Sequence, residues 1–380
     1  MEDRCRGAHE SIVSCTPDSS RIHKHELTSA RPQAASGLLH RGRCDVEARD
    51  MTRSQDPPLY RAHTFEDLLN AVPALFGFVP RESIIGLCVS GPRNRFGFRL
   101  RIDIPERRSD DEQVAAVVAE HLRRNADEAV ILIGLSENPA VAEELLHAVG
   151  ERLGSLPVRL KIWATDQRLW TDLPDCPSEG EPYELSDVHA ARVSAVAAGL
   201  TVLEDRDALY DEIAPLSGPR QDWMHDAAFT ALEDACHRGD PAGEIGQVER
   251  LLAGDHDYAD GELVRLGVLV TSIPARDAAW LRIDRENAPR MHGLWCSVAR
   301  RMPEAMSVPA LCLAGFSAWI WGDGARAVVA LERAQRIAPS YSMANLLLTL
   351  VSHGVNPARW ADFAQADADV GPDVVTRRSA

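Results

Sequence analysis

The sequence has no paired cysteines. Its eight, Cys5, Cys15, Cys44, Cys88, Cys176, Cys236, Cys296 and Cys312, are scattered, with no C-x-x-C and no pair at metal-ligand spacing. This excludes a disulfide framework and a cysteine-built zinc site. The opening residues MEDRCRGAHE hold no apolar segment of the kind a secretory leader needs. Long hydrophobic runs are missing as well. The longest apolar stretch, near Val308–Trp321, is interrupted by Pro309 and Ser317 and falls short of the roughly 20 residues of a membrane span. The expectation is a cytoplasmic protein with reduced thiols and no membrane partner. Lysine is almost absent: Lys24 and Lys161 are the only two, and arginine supplies the rest of the 41 basic residues.

The usual catalytic signatures are missing too. There is no G-x-x-x-x-G-K-[ST], so no P-loop, and no H-E-x-x-H. Gly315-Phe316-Ser317-Ala318 lacks the closing glycine of a nucleophile elbow. The acidic run Asp255-His256-Asp257-x2-Asp260-Gly261 lacks the glycine and closing glutamate of an EF-hand loop. His292 and Cys296, four apart, could share a helix face, but two ligands do not make a zinc site, and packing is the simpler role for Cys296. No catalytic residue, metal or cofactor is expected.

What is present is an ordinary globular composition, 45% apolar and 26% charged over 380 residues, enough for about two domains. A formal charge of −16 repels phosphate, so nucleic acid is not an expected partner.

Residues 1–58 carry as many acidic as basic residues, show no apolar period and end at Pro57-Pro58. They read either as a disordered tail or as a miscalled start, with Met51 opening a shorter chain. Residues 367–380 read as a second tail. Order is expected to begin at Thr64, a helix cap with Asp67 as third helical residue. Pro73 should break or restart this helix and Gly77 should end it.

Ile84–Val89 is a buried apolar run, and Phe98, Leu100, Ile102 and Ile104 alternate with polar residues; together they predict an antiparallel hairpin. Apolar stripes at Val114–Leu122 and Val141–Leu153 predict helices. Ala129–Gly134 and Val158–Ile162 predict two more strands. The reading is an α/β layered N-terminal domain over 59–200, in the order ββαβαβ, with residues 165–186 as a long loop. It is followed by an all-α domain over 201–366 whose helices break at prolines including Pro274, Pro289, Pro303, Pro309 and Pro339.

The hairpin is a basic island. Between Arg81 and Arg108 it nets +4, and Arg99 and Arg101 share one strand face, with Arg95 nearby on the same strand. Paired guanidiniums suit phosphate or carboxylate, so these three are anion-binding candidates, against the plainer reading of a solvated face paired with helix acids. In SIPARDAAW, Pro274 fits a helix start. That places Asp277 in the first turn, with Arg276 reaching another helix as a structural charge pair. Near the C-terminus, Leu311, Ala314-Gly315, Ala318, Ala327, Leu331, Ala334 and Pro339 reproduce the spacing of one tetratricopeptide repeat, with Gly322-Asp323-Gly324 as the turn. Gly315 and Ala327 would sit where two helices cross closely. No second copy of comparable quality follows, so a hairpin inside a helical domain is preferred over a peptide-binding solenoid. Trp280, Trp295, Trp319, Trp321 and Trp360 cluster in the last hundred residues, and core is their expected place.

Taken together, LLNAVPALFGFVPRESI, RLRIDIP, DCPSEGEP, DRDALYDEIAP, SIPARDAAW and CLAGFSAWIWGDGARAVVALERAQRIAPSYSMANLL resemble an actinobacterial family, domain of unknown function 4192, from Tyr60 to Trp360. The resemblance implies one fold over that span. It implies no activity and assigns no catalytic residue. That family often has more than one cysteine near Asp175-Cys176-Pro177, whereas Cys176 here stands alone, so no metal role is carried over. Two functions are weighed, beside a weaker third, a nucleic-acid accessory protein working through the hairpin patch, which would require steep salt dependence of binding. The first is a non-enzymatic binding protein with a protein partner at the helical domain. The second is an enzyme of unrecognised class acting on an anionic substrate at the arginine-rich hairpin.

Overall fold

A computed structural model describes residues 13–15, 46–48, 60–92, 94–197, 201–238, 240–254, 257–357 and 360. The chain forms two units. The first runs to Val202; the second begins at Leu203 and also takes in the short strand β1 (Val13–Cys15). Most of the 1–58 segment lies outside the described residues; within it only β1 and β2 (Val46–Ala48) are described, both as short strands. The tail at 367–380 lies outside the described residues.

The first unit is a mixed sheet with helices. After β2 come β3 (Tyr60–Ala62), α1 (Phe65–Phe76), β4 (Ser83–Ser90), β5 (Arg95–Asp103), α2 (Asp111–Asn125), β6 (Ala129–Leu135), α3 (Pro139–Leu153), β7 (Val158–Ala164), β8 (Arg168–Thr171), β9 (Glu181–Pro182) and α4 (Ala190–Ala197). The strands lie in the order β3-β2-β5-β4-β6-β7-β8-β9. β4 is antiparallel to β5 on one side and to β6 on the other, and β6 and β7 run parallel. The unit therefore holds more strands than six elements in the order ββαβαβ. The predicted loop over 165–186 contains β8 and β9, edge strands of four and two residues, too short for an alternating pattern to stand out.

Registry explains the packing of one sheet face. Ile84 pairs with Ile102 and Gly134, and Gly86 pairs with Leu100 and Leu132. A Cβ on Gly86 would lie 2.7 Å from the Leu122 side chain of α2, and one on Gly134 would lie 2.9 Å from Ala142 of α3. The two glycines let these helices lie directly on the sheet. Each fully buried Leu or Ile in this layer contributes about 1.5–3 kcal/mol of transfer free energy.

Helix α1 begins with a full capping box. Thr64 Oγ1 accepts from Asp67 N at 3.0 Å, and Asp67 Oδ2 accepts from Thr64 N at 3.0 Å. Pro73 does not break α1, which runs on to Phe76 and ends at Gly77 in the left-handed region (φ 77°). A proline this close to the end removes one hydrogen bond, the one to the Leu69 carbonyl, and leaves the rest of the ladder intact.

The second unit is helical: α5 (Ala208–Ile213), α6 (Pro219–Arg238), α7 (Pro241–Leu252), α8 (Asp260–Leu269), α9 (Ile273–Leu281), α10 (Ala288–Ala299), α11 (Glu304–Trp321), α12 (Gly324–Ile337) and α13 (Ser342–Ser352). α11 is the hub, packed by α8, α9, α10, α12 and α13. Its length and composition would suffice to cross a membrane, and 83% of it is buried inside this unit. Pro309 does not break it either; it sits buried within the helix. Gly322, left-handed at φ 94°, ends α11, and the Asp323 side chain caps α12.

Candidate functional site

A cavity lined by both apolar and polar side chains lies in the first unit, at the C-terminal ends of the parallel strands β6 and β7. Open α/β sheets bind ligands at this end, because loops diverge there. The cavity holds about 110 Å³, smaller than the roughly 300–1,000 Å³ of drug-sized sites, so it suits only a small ligand or part of one. α1 supplies an apolar wall of Leu69, Val72 and Pro73, and Val79-Pro80, Leu135, Ala164 and Leu185 continue it. Arg81, Glu82, Glu137, Thr165, Asp166 and Tyr183 bring polar groups.

Two buried residues hold the walls. Asn70, fully buried on α1, donates from Nδ2 to the carbonyls of Glu66 (3.1 Å) and Glu184 (2.9 Å) and accepts from Ser186 N (2.8 Å). It thereby fastens to α1 the segment that carries Tyr183 and Leu185. Arg101, 3% exposed, donates from Nε to Ser83 Oγ (2.8 Å), from Nη2 to the Arg81 carbonyl (3.4 Å), and to Asp103. Its guanidinium lies 5.5 Å from the Phe78 ring centroid. Arg101 thus fixes residues 81–83, the other lip of the cleft.

Within that lip Glu82 has a positive φ of 39°, a conformation that costs a non-glycine residue about 1 kcal/mol or more. Its carboxylate accepts from Ser136 Oγ (2.8 Å) and Glu137 N (2.7 Å), the loop after β6. Arg81 Nη1 lies 3.3 Å from Asp166 Oδ2, an exposed pair that adds little stability. The Tyr183 hydroxyl donates to the Thr165 carbonyl at 2.7 Å, and burial pushes its pKa up to about 12, so the phenol keeps its proton.

The arginines singled out from the sequence do not line this cleft. Arg101 is internal, as described. Arg99 is half-buried on the same strand face, and its buried Nε has no hydrogen-bond partner. Arg95 is exposed by the β4–β5 turn, beside Glu128. Arg276 and Asp277 do pair: Arg276 Nε and Nη2 donate to Asp277 Oδ1 at 2.9 and 2.7 Å, and Nη1 donates to Tyr341 Oη at 2.8 Å. Asp277 is not in the first turn, however. α9 starts at Ile273, so Asp277 is its fifth residue and interacts with Arg276 rather than with the helix terminus.

Gly315 lies where α11 meets α12. A Cβ there would be 2.6 Å from the Leu331 side chain and 3.2 Å from the Ala327 carbonyl. Ala327 and Ala334 are fully buried, and Pro339 follows the end of α12.

Other sequence features fall inside the helical unit. Cys296 Sγ lies 3.5 Å from His292 Nε2, and His292 Nδ1 lies 3.0 Å from the Ala314 carbonyl, both residues buried. Burial alone would lower the His292 pKa, but Cys296 and the Ala314 carbonyl outweigh it and raise it to about 9. Asp260 pairs with Arg301 at 2.9 Å and with Arg220, whereas Asp255 and His256 lie outside the described residues. Trp280, Phe316, Trp319 and Trp360 form one ring cluster, with Trp280 and Trp360 stacked at 5.3 Å. No group of three potential metal ligands occurs among the described residues.

The sequence reading missed the cleft and its two fasteners. The VPRES segment carried the only signal: Pro80, Arg81 and Glu82 line the cavity, and they belong to a stretch already noted for its family resemblance.

Fold and cleft together define a protein of two units, a mixed α/β sheet with a small cavity at its strand ends and a helix-rich unit. The chain matches the model of the family described as domain of unknown function (DUF4192) over residues 66–358. It belongs to that family. No curated protein and no solved structure matches it.

Proposed function

We propose that this is a cytoplasmic, non-enzymatic binding protein whose small-molecule site is the cleft at the ends of β6 and β7. The observation that carries this reading is the construction of the cavity. Apolar walls stand beside polar groups at the end of a parallel strand pair, and the lips are held by buried Asn70 and Arg101. Such pre-formed walls reduce the ordering cost of binding. The polar side chains there are carboxylates, hydroxyls and one guanidinium, and the one hydroxyl–carboxylate pair, Ser136 with Glu82, ties the loop after β6 to the lip. An enzyme acting on an anion at the hairpin arginines has less support, because Arg101 is enclosed and bonded to the protein itself.

The helical unit, with its single tetratricopeptide-like hairpin, is the part we assign to a protein partner. Its exposed Trp223, Phe229, Ile273, Leu281 and Leu346 are the side chains such a partner would cover.

Val79→Trp tests the cleft assignment. Val79 is half-buried in the cleft wall, so the indole fills the cavity without disturbing the sheet. A metabolite mixture that raises the melting temperature of the natural protein and not of Val79→Trp supports the reading. An equal rise in both overturns it.

A further inference from the structure

We infer that the ligand of this cleft is a small organic cation, an amine or amidine on an apolar body. This inference rests on the cleft being the binding site. The first argument is the inventory of donors and acceptors. The three hydroxyls that line the cavity already donate inside the protein: Ser136 to Glu82, Tyr183 to the Thr165 carbonyl, and Thr165 to the Arg168 carbonyl. The Glu137 amide also donates to Glu82. A carboxylate offers about four acceptor positions, and Glu82, Glu137 and Asp166 therefore keep acceptor capacity that the protein does not use.

The second argument is charge. Arg81 is the single cation among the described lining residues, against Glu82, Glu137 and Asp166, and it lies against Asp166. An anion entering here would meet a net negative wall, and its natural place, the amide and hydroxyl of the loop after β6, is already taken by the Glu82 carboxylate.

The third argument is the apolar wall. Val72, Pro73, Leu135 and Ala164 suit a hydrocarbon body. A ligand that brings N–H donors on a positive head, with an aliphatic tail, complements all three features.

The test uses the full chain and three probes of one chain length: hexylammonium, hexanoate and hexanol, each titrated by calorimetry at low and at physiological salt. Hexylammonium is expected to bind, more weakly at the higher salt. The exposed substitutions Glu137→Gln and Asp166→Asn are each expected to weaken it by about tenfold and to leave the urea midpoint unchanged. Val79→Trp is expected to abolish it. Preference for hexanoate, or binding of hexanol as tight as the amine, overturns the cation assignment while leaving the cleft as the site, provided Val79→Trp removes that binding. Hexylammonium binding that survives Val79→Trp, or no binding by any probe, overturns the cleft reading as well.

Discussion

Arg101 of the α/β unit and Arg326 of the helical unit are both buried, to different ends. In the α/β unit Arg101 holds backbone: it fixes residues 81–83 through Ser83 and the Arg81 carbonyl, and so shapes a cavity. In the helical unit Arg326 holds charge. It lies between Glu212 (2.8 and 2.7 Å) and Asp323 (2.7 Å), joins α5 to α12, and rests 5.9 Å from the Trp321 ring centroid. Burial alone would lower the Arg326 pKa; Asp323 and Glu212 outweigh it and raise it. One unit uses its guanidinium to keep a loop in place beside a cleft, the other to close a contact between helices.

The largest expected effect breaks that contrast at Arg326. Arg326→Ala leaves Glu212 and Asp323 partly buried without their cation, which should cost about 3 kcal/mol, the lower end for broken buried pairs because Glu212 keeps 30% exposure. Urea unfolding should show the loss. Arg101→Ala should abolish ligand binding with a smaller loss of stability. If the two variants lose stability and binding alike, the distinction between the units is wrong.

Next is the α11–α12 crossing. Gly315→Leu should destabilise by about 1–3 kcal/mol through overpacking against Leu331, although leucine is the better helix former. Gly293 on α10 is the control: a Cβ there meets nothing within 4 Å, so Gly293→Ala should stabilise by about 0.5–1 kcal/mol. Unfolding midpoints of opposite sign sharpen the picture of a tight hub. A raised midpoint for Gly315→Leu removes it.

The smallest effect concerns the α1 cap. Thr64→Ala should cost about 1 kcal/mol. Burial alone would raise the Asp67 pKa, but hydrogen bonds from His63, His189 and Thr64 outweigh it and hold it below its ordinary value. A depressed carboxylate stabilises the folded state above the ordinary carboxylate range and loses that contribution as pH falls through the folded value. The stability difference between natural protein and Asp67→Asn should therefore be constant near neutrality and shrink below about pH 4. A difference independent of pH down to acid unfolding would show that the cap works without its charge.

Much of the local structure was legible in the sequence, for stated reasons. Ile84–Val89 and Ala129–Gly134 are apolar runs because both strands are covered on both faces, and Thr64 with Asp67 spells out a capping box. The proline breaks predicted at Pro73 and Pro309 failed. A proline costs one hydrogen bond and a local clash, which dense packing around α1 and α11 can offset. β8 and β9 were invisible because edge strands of four and two residues carry almost no period. The anion-binding row was legible only as parity: Arg99 and Arg101 do share a face, and parity cannot tell a solvated guanidinium from one enclosed beside Phe78.

By itself, the sequence determined what depends on neighbours in the chain: the helix periods, the strand alternation, the caps, and the glycine where α11 turns into α12. The cleft was decided only by the tertiary structure. Asn70 meets residues 184 and 186 more than a hundred positions away, Glu82 meets Ser136 and Glu137 more than fifty away, and Arg81 meets Asp166 across eighty-five. Such pairs leave no period in the sequence, because they form only when β4, β6 and β7 lie side by side and their ends come together. Local forces bias each segment's conformation; the meeting of distant segments, and hence the site, follows from how the sheet is ordered.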